Sequence, residues 1–342
     1  MTRPTRPPTL LVLRALGLGD LLTALPALRA LADAFPAHRR VLAAPAVLAP
    51  LARHSGAVGE VAGAAGLQAP LPARLAGADL AVNLHGRGPQ SHELLLATGP
   101  RRLIAFANPA VPASAPWPRW WPGEHEVARW CRLLRSSGIA ADPRRLDLAP
   151  PPGARPAGAA GATLIHPGAG SAARRWPPER FAAVARAEVE RGRAVVVTAG
   201  PAEVELACSV ADLAGRPRRL AVSAGGELLA LALLVAAAGR VLCGDTGVAH
   251  LATALGTPSV VLFGPVSPTE WGPPPERPWH RALWTDSTGD PHAPEPDLGL
   301  LEITVAEVLR ALDELPQRPD REERWDLPSG GCTCIPSATA RR

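Results

Sequence analysis

Short apolar runs alternate with longer helix-patterned segments along almost the whole chain, and several of the runs stop at a glycine-containing turn. Thr9–Leu13 is such a run. The turn Ala15–Asp20 follows it, and Leu21–Phe35 then carries apolar residues three and four apart, as on a buried helix face. "RRVLAAP", Leu80–Leu84 and "RRLIAFANP" read as further strands of the same half, and "EHEVARWCRLLRSSG" as a helix closed by Gly138. After the Pro/Gly/Ala stretch Pro150–Gly161 the alternation starts again. It runs through strand Thr163–His166, helix Pro178–Arg191, strand Ala194–Thr198 and helix Ala202–Ala214. Helix Glu227–Ala238, strand Val241–Cys243, helix Val248–Leu255 and strand Ser259–Phe263 complete it, and Thr304 with Glu307 forms a capping box before a last helix. Repeated strand–helix units build parallel sheets with helices on both faces.

The expected fold class is therefore α/β, with two Rossmann-like domains facing across a cleft. Residues 1–150 form the first domain, 151–316 the second, and 317–342 a loose tail. The length of 342 residues suits two ordinary domains. Apolar residues make up 47% but aromatics only 4%, with no Tyr, so both cores must be built from Leu, Val and Ala. Val111–Pro122, "VPASAPWPRWWP", can be neither regular helix nor central strand and reads as a loop able to cover a cleft.

The formal charge of +5 comes from scattered arginines, without a long basic block or an aromatic-basic RNA motif, which argues for a solvated surface and against a nucleic-acid partner. Five cysteines are isolated or, for Cys332 and Cys334, form a lone C-x-C without a second pair to complete a zinc site. Such thiols fit a reducing cytoplasm. No stretch reaches the ~18 apolar residues of a membrane span. The expectation is a cytoplasmic, soluble monomer, with a peripheral membrane contact left open.

In open parallel sheets ligands sit beyond the carboxyl ends of strands, where helix N-termini favour anions. Three junctions of this kind carry polar residues. In "VLCGDTGVAHLATALGTPSVVLFGP", Gly244 and Gly247 let backbone approach a ligand, Thr246 offers donors, Asp245 can accept from sugar hydroxyls, and His250 stands one turn into the helix. Asp245 or Thr246 could equally be a plain helix cap. In "HPGAGSAARRWPPERFAAVA", His166 and Ser171 flank a glycine turn, and Arg174 and Arg175 suit a diphosphate, or else simply face solvent. In "LGLGDLLTALP", Asp20 is placed to act as a general base or to cap a helix. The last stretch is no dinucleotide fingerprint, since Leu22 stands at the third glycine position.

Together these stretches, with "GPAEVELA", make the chain similar to glycosyltransferase family 9, the ADP-heptose:lipopolysaccharide heptosyltransferase-like enzymes, over nearly all of Thr9–Leu315. The resemblance implies a GT-B fold, with the acceptor on the N-terminal domain and the nucleotide sugar on the C-terminal one. It implies an inverting transfer without metal or other cofactor. A sugar, heptose by resemblance, passes from a nucleotide diphosphate donor such as ADP-heptose to a hydroxyl of a glycan, glycolipid or metabolite. Asp20 matches the base, and Thr246 and Gly247 the residues that hold the diphosphate, with Arg174, Arg175 and Ser171 beside them. Asp245, His250 and His166 match the donor-sugar side, and Glu203, with Glu205 as its neighbour, the nucleoside contact. Asn83, His85, Arg87, Gln90 and Ser91 suit a polar or anionic acceptor. "GPVSPTEWGP" and the Val111–Pro122 loop are candidate cleft walls. Arg174 departs from the family, where many members carry lysine; the charge is kept, but a planar fork replaces a point charge. A nucleotide-sugar epimerase or hydrolase, or a non-catalytic binding protein, would share the donor-side motifs.

Overall fold

The computed structural model describes residues 7–156, 158–224 and 227–316. Its first half runs β1 (Thr9–Leu13), α1 (Leu18–Thr23), α2 (Leu25–Ala34), β2 (Arg39–Ala44), α3 (Ala49–His54), β3 (Glu60–Gly63), β4 (Leu80–Asn83), α4 (Gln90–Leu96), β5 (Leu103–Ile104) and α5 (Glu126–Arg135). The second half begins with β6 (Thr163–His166), α6 (Pro178–Glu190), β7 (Val195–Ala199), α7 (Val204–Leu213), β8 (Leu220–Ala224) and α8 (Leu228–Ala237). It continues with β9 (Arg240–Gly244), α9 (Gly247–Leu255), β10 (Ser259–Leu262), α10 (Pro268–Trp271), β11 (His280–Leu283), α11 (Leu298–Glu302) and α12 (Val305–Asp313).

The strands form two sheets, ordered β3-β2-β1-β4-β5 and β11-β10-β9-β6-β7-β8. Every pairing is parallel. Each sheet is buried on both faces. Along β1, Leu10 and Val12 pack into one apolar cluster and Leu11 and Leu13 into another, the period of two that a strand imposes. Along β9 and β10, Leu242, Val260 and Leu262 face one way while Val241, Cys243, Val261 and Phe263 face the other. The last of these clusters also takes in Leu22, Leu25, Leu51 and Leu148 from the first half, so apolar packing joins the two sheets' layers.

The strand orders decide where a ligand can sit. The first sheet reverses direction between β1 and β4, and the second between β6 and β9. Loops leaving such a pair diverge to opposite faces and open a crevice at the carboxyl ends. The loops after β1, β6 and β9 are the three junctions singled out above.

Several details differ from the sequence reading, among them the helices α3 and α4, which no pattern had marked. The expected single helix Leu21–Phe35 is two helices that part at Ala24. Pro26 lies in the first turn of α2, where it has no N–H to donate to the preceding turn. The first helix also starts earlier, so Asp20 is its third residue rather than part of the turn. The unexpected strands β3, β8 and β11 are all sheet edges, where short, half-exposed runs carry little apolar pattern. The 317–342 tail and its Cys332-x-Cys334 lie outside the described residues.

Candidate active site

One cavity of about 650 Å3 lies between the two sheets' carboxyl ends. From the first half come Gly17, Leu18, Gly19 and Asp20; from the second come His166, Gly170, Arg174, Glu203, Asp245, Thr246, Gly247 and His250. The N-termini of α1 and α9 touch there. A Cβ on Gly247 would lie 2.8 Å from Leu18 Cβ and 3.1 Å from the Gly19 nitrogen, and a Cβ on Gly19 would lie 2.8 Å from His250 Cδ2. Glycine is needed at both places because the two helix starts are in direct contact.

Asp20 is held at its rim. Its Oδ2 accepts from the Gly17 N–H at 3.2 Å and its Oδ1 from Arg14 at 3.1 Å, with the side chain 25% exposed. Asp245 is more deeply set, its side chain 8% exposed and 3.5 Å from an Arg174 nitrogen. Thr246 is the cap residue of α9 in extended conformation, so the helix's first N–H groups open toward the cavity. Burial holds the His250 imidazole down to about 4, with Asp245 pulling the other way, and His250 packs edge-on against Trp271 at 5.9 Å. Burial likewise holds His166 down to about 4, against its hydrogen bonding with Thr198. Both rings are neutral at physiological pH.

Glu203 lines the cavity and accepts from the Ala169 N–H and from Arg175, each at 3.0 Å. A Cβ on Gly168 would fall 2.0 Å from its Oε2, which explains that glycine. Glu205 is exposed and lies on a different surface depression. Val266 and Trp271 of the Gly264–Pro273 stretch form walls as expected, joined by Pro291 and His292, which no sequence motif had marked.

Several expected site residues are placed elsewhere. Arg175 does not line the cavity; its guanidinium is committed to the Ala169 carbonyl and Glu203, so it braces the loop. Ser171 donates to the Pro291 carbonyl at 2.5 Å and fixes the loop carrying His292. Asn83 is fully buried, donating to Ser91 at 2.8 Å and accepting from the His85 N–H at 2.9 Å; it and Ser91 clamp the β4 turn instead of facing an acceptor. His85 accepts from the Ala15 N–H at 3.2 Å. Burial and then Arg14 hold its ring below the ordinary histidine range, with Asp20 opposing. Gln90 is exposed at the start of α4. Arg87 lines a second cavity of about 740 Å3 together with Asn108, Arg119 and Trp120. The Val111–Pro122 loop walls that second cavity, and none of its residues reaches the first. Its tryptophans are anchored elsewhere: Trp120 packs on Phe106 and Trp130, and Trp117 stacks on His92.

Besides Pro291 and His292, the sequence reading missed Arg14. It is 1% exposed, one position beyond β1, and bonds Asp20, Leu84, Thr23 and Glu126. A charge ending an apolar strand just before a glycine turn was the available signal.

Compared with known proteins, the family described as glycosyltransferase family 9 (heptosyltransferase) matches residues 118–290, just over half of the chain. The chain belongs to glycosyltransferase family 9. Among curated proteins, lipopolysaccharide heptosyltransferase 3 of Escherichia coli is 30% identical over 161 residues, 44% of this chain and 46% of that one. The alignment thus spans about half the length of that relative. The fold matches Escherichia coli ADP-heptose lipopolysaccharide heptosyltransferase II with a TM-score of 0.71 at 20% identity, over 90% of this chain and 98% of that one. It matches Escherichia coli heptosyltransferase WaaC, solved with ADP, with a TM-score of 0.70 at 19% identity, over 90% and 100%. This family 9 chain therefore has the GT-B arrangement of two parallel α/β sheets.

Proposed function

We propose that the protein is an inverting, metal-independent glycosyltransferase acting in the cytoplasm as a monomer. It moves a sugar, heptose in this reading, from ADP-heptose to a hydroxyl of a glycan, glycolipid or metabolite. What supports it most is the meeting of Asp20 from the first half with Arg174 and the α9 N-terminus from the second across one cavity. Among the described residues no helix is long and apolar enough to cross a membrane.

In this reading the diphosphate lies against Thr246, Gly247 and Arg174, and the nucleoside reaches Glu203. The acceptor approaches from the first half, along β4's carboxyl end toward the cavity of Arg87 and Arg119. Asp20 takes the acceptor proton as the new bond to the anomeric carbon forms, a contribution of roughly 10²–10⁴ in rate. The bond to the diphosphate breaks on the opposite face, and the charge appearing on the leaving group meets the helix N–H groups and the Arg174 fork. Closure of the cleft excludes water, which would otherwise consume the donor.

Calorimetry with ADP, ADP-heptose and UDP-glucose, followed by NMR of the product's anomeric configuration, tests the proposal. Binding of ADP and ADP-heptose with inverted product is expected. No ADP binding at millimolar concentration, or a retained configuration, overturns it.

A further inference from the structure

The geometry points to the first turn of α5 as a positioning device: Glu126, acting through Arg14, holds the Asp20 carboxylate, and His125 ties that assembly to the Gly264–Pro273 wall of the donor side. The inference rests on Asp20 as the base, and it extends to residues that do not line the cavity.

Arg14 sits behind Asp20. Its Nε donates to the Asp20 carbonyl at 2.9 Å, and one terminal nitrogen donates both to Asp20 Oδ1 at 3.1 Å and to Glu126 Oε1 at 2.9 Å. Its other terminal nitrogen donates to the Leu84 carbonyl, and the guanidinium lies over the Trp130 ring, 4.9 Å from the centroid. Glu126 is 4% exposed and also accepts from Arg129 and from Trp130 Nε1. Burial alone would raise its carboxyl, but Arg14 and Arg129 outweigh burial and hold it below the usual range, so it stays ionised. A buried guanidinium facing Asp20 alone would direct its whole field at the base and weaken its pull on a proton. Glu126 shares that field, and Arg129 balances Glu126 in turn.

The preceding residue reaches the other half. His125 caps α5, its Nδ1 accepting from the Val127 N–H at 3.3 Å, while Nε2 donates to the Gly272 carbonyl at 3.0 Å. A carbonyl only accepts, so these partners assign the proton to Nε2. Gly272 follows Trp271, which lines the cavity beside His250. Two consecutive residues of one helix start thus connect the base to the donor-side wall. The other charged or titratable groups around Asp20 are His85 beyond β4 and, around the cavity, His250, Asp245, Arg174, Glu203 and His292.

The residual release of ADP from ADP-heptose, which water entering the unclosed cleft sustains when no sugar acceptor is bound, reads the device across pH, and calorimetry with ADP reads the donor site independently. Glu126→Gln keeps the shape and removes the charge, leaving net positive charge beside Asp20. The acid limb of the rate profile then moves to lower pH by about half a unit or more, and kcat falls, while ADP affinity is unchanged. Glu126→Asp keeps the charge and restores the limb. His125→Ala raises the donor KM without moving the limb, and His125→Gln, which retains an N–H donor, recovers it. A wild-type limb and kcat in Glu126→Gln, or an unchanged KM in His125→Ala, overturns the inference. Should Glu126→Gln fail to fold, Arg14→Lys serves, since it keeps the charge and loses the fork: reduced kcat supports the device and wild-type kcat overturns it. The parent reading fails separately, if Asp20→Asn keeps its turnover.

Discussion

Asp20 and Asp245 occupy matching places in the two halves, each after a glycine, beyond a strand and at the start of a helix, yet the protein treats them differently. Asp20 is the third residue of α1, a quarter exposed, and bound through both carboxylate oxygens to groups of its own half. Asp245 precedes α9, is almost fully enclosed, and faces an arginine 3.5 Å away. One carboxylate is steadied from behind and a quarter exposed; the other lines the cavity but is almost enclosed and faces Arg174. In the proposed reading, the difference is between a group that takes a proton from an incoming molecule and one that shapes the donor side of the site. Four positions of helix register produce it: Asp20 lies two residues past the first residue of α1, and Asp245 two residues before the first residue of α9.

The comparison breaks most decisively at Asp20. Asp20→Asn should lower turnover by roughly 10²–10⁴ while calorimetric ADP affinity stays at the wild-type value; turnover near wild type would remove the residue from the chemistry. Arg174→Ala should weaken ADP binding by about 10- to 100-fold, the scale of a lost charged hydrogen bond. Adenosine, lacking phosphate, should bind alike to both proteins, and an equal loss for adenosine would place the arginine's effect outside the diphosphate. The contact between the two junctions is open to Gly247→Ala, whose added Cβ would lie 2.8 Å from Leu18 Cβ. Overpacking there should cost about 1–3 kcal/mol in thermal unfolding; an unchanged melting temperature would mean that the two helix starts can part freely.

An effect of similar size concerns acid. The His166 ring is held from 6.5 down to about 4 in the folded protein. Between those values the unfolded chain binds the extra proton, so this contribution to stability is complete above pH 6.5 and is lost as the pH falls toward 4. His166→Asn should flatten that part of the stability–pH curve by roughly 1–3 kcal/mol, measurable by denaturant melts at pH 7 and pH 4.5. A curve of unchanged slope would show that the ring is not the group titrating there.

Much of the fold was legible because its signals are local. Thr9–Leu13 matches β1 residue for residue, and the Thr304 and Glu307 capping box stands at the start of α12. The edge strands β3, β8 and β11 escaped notice because their residues are mostly half-buried and carry no apolar alternation. The lining of the cavity proposed as the site was legible at its glycines and at the polar residues following strands β1, β6 and β9. It was misread at Arg175, Ser171 and Asn83, where a side chain that looks free is satisfied by a neighbour: Glu203, the Pro291 carbonyl and Ser91 respectively.

The sequence by itself determined the alternation of strand and helix, the two-sided burial of both sheets and the glycine turns where anions can be met, since each follows from patterns within a few residues. Only the tertiary structure decided that Asp20 joins Arg174 and Thr246 in one cavity, that the Val111–Pro122 loop walls a different one, and that Arg14 meets Glu126 from 112 positions away. Those outcomes depend on strand order and on which buried charge finds which partner. Both are set by packing between distant segments, which no local period encodes.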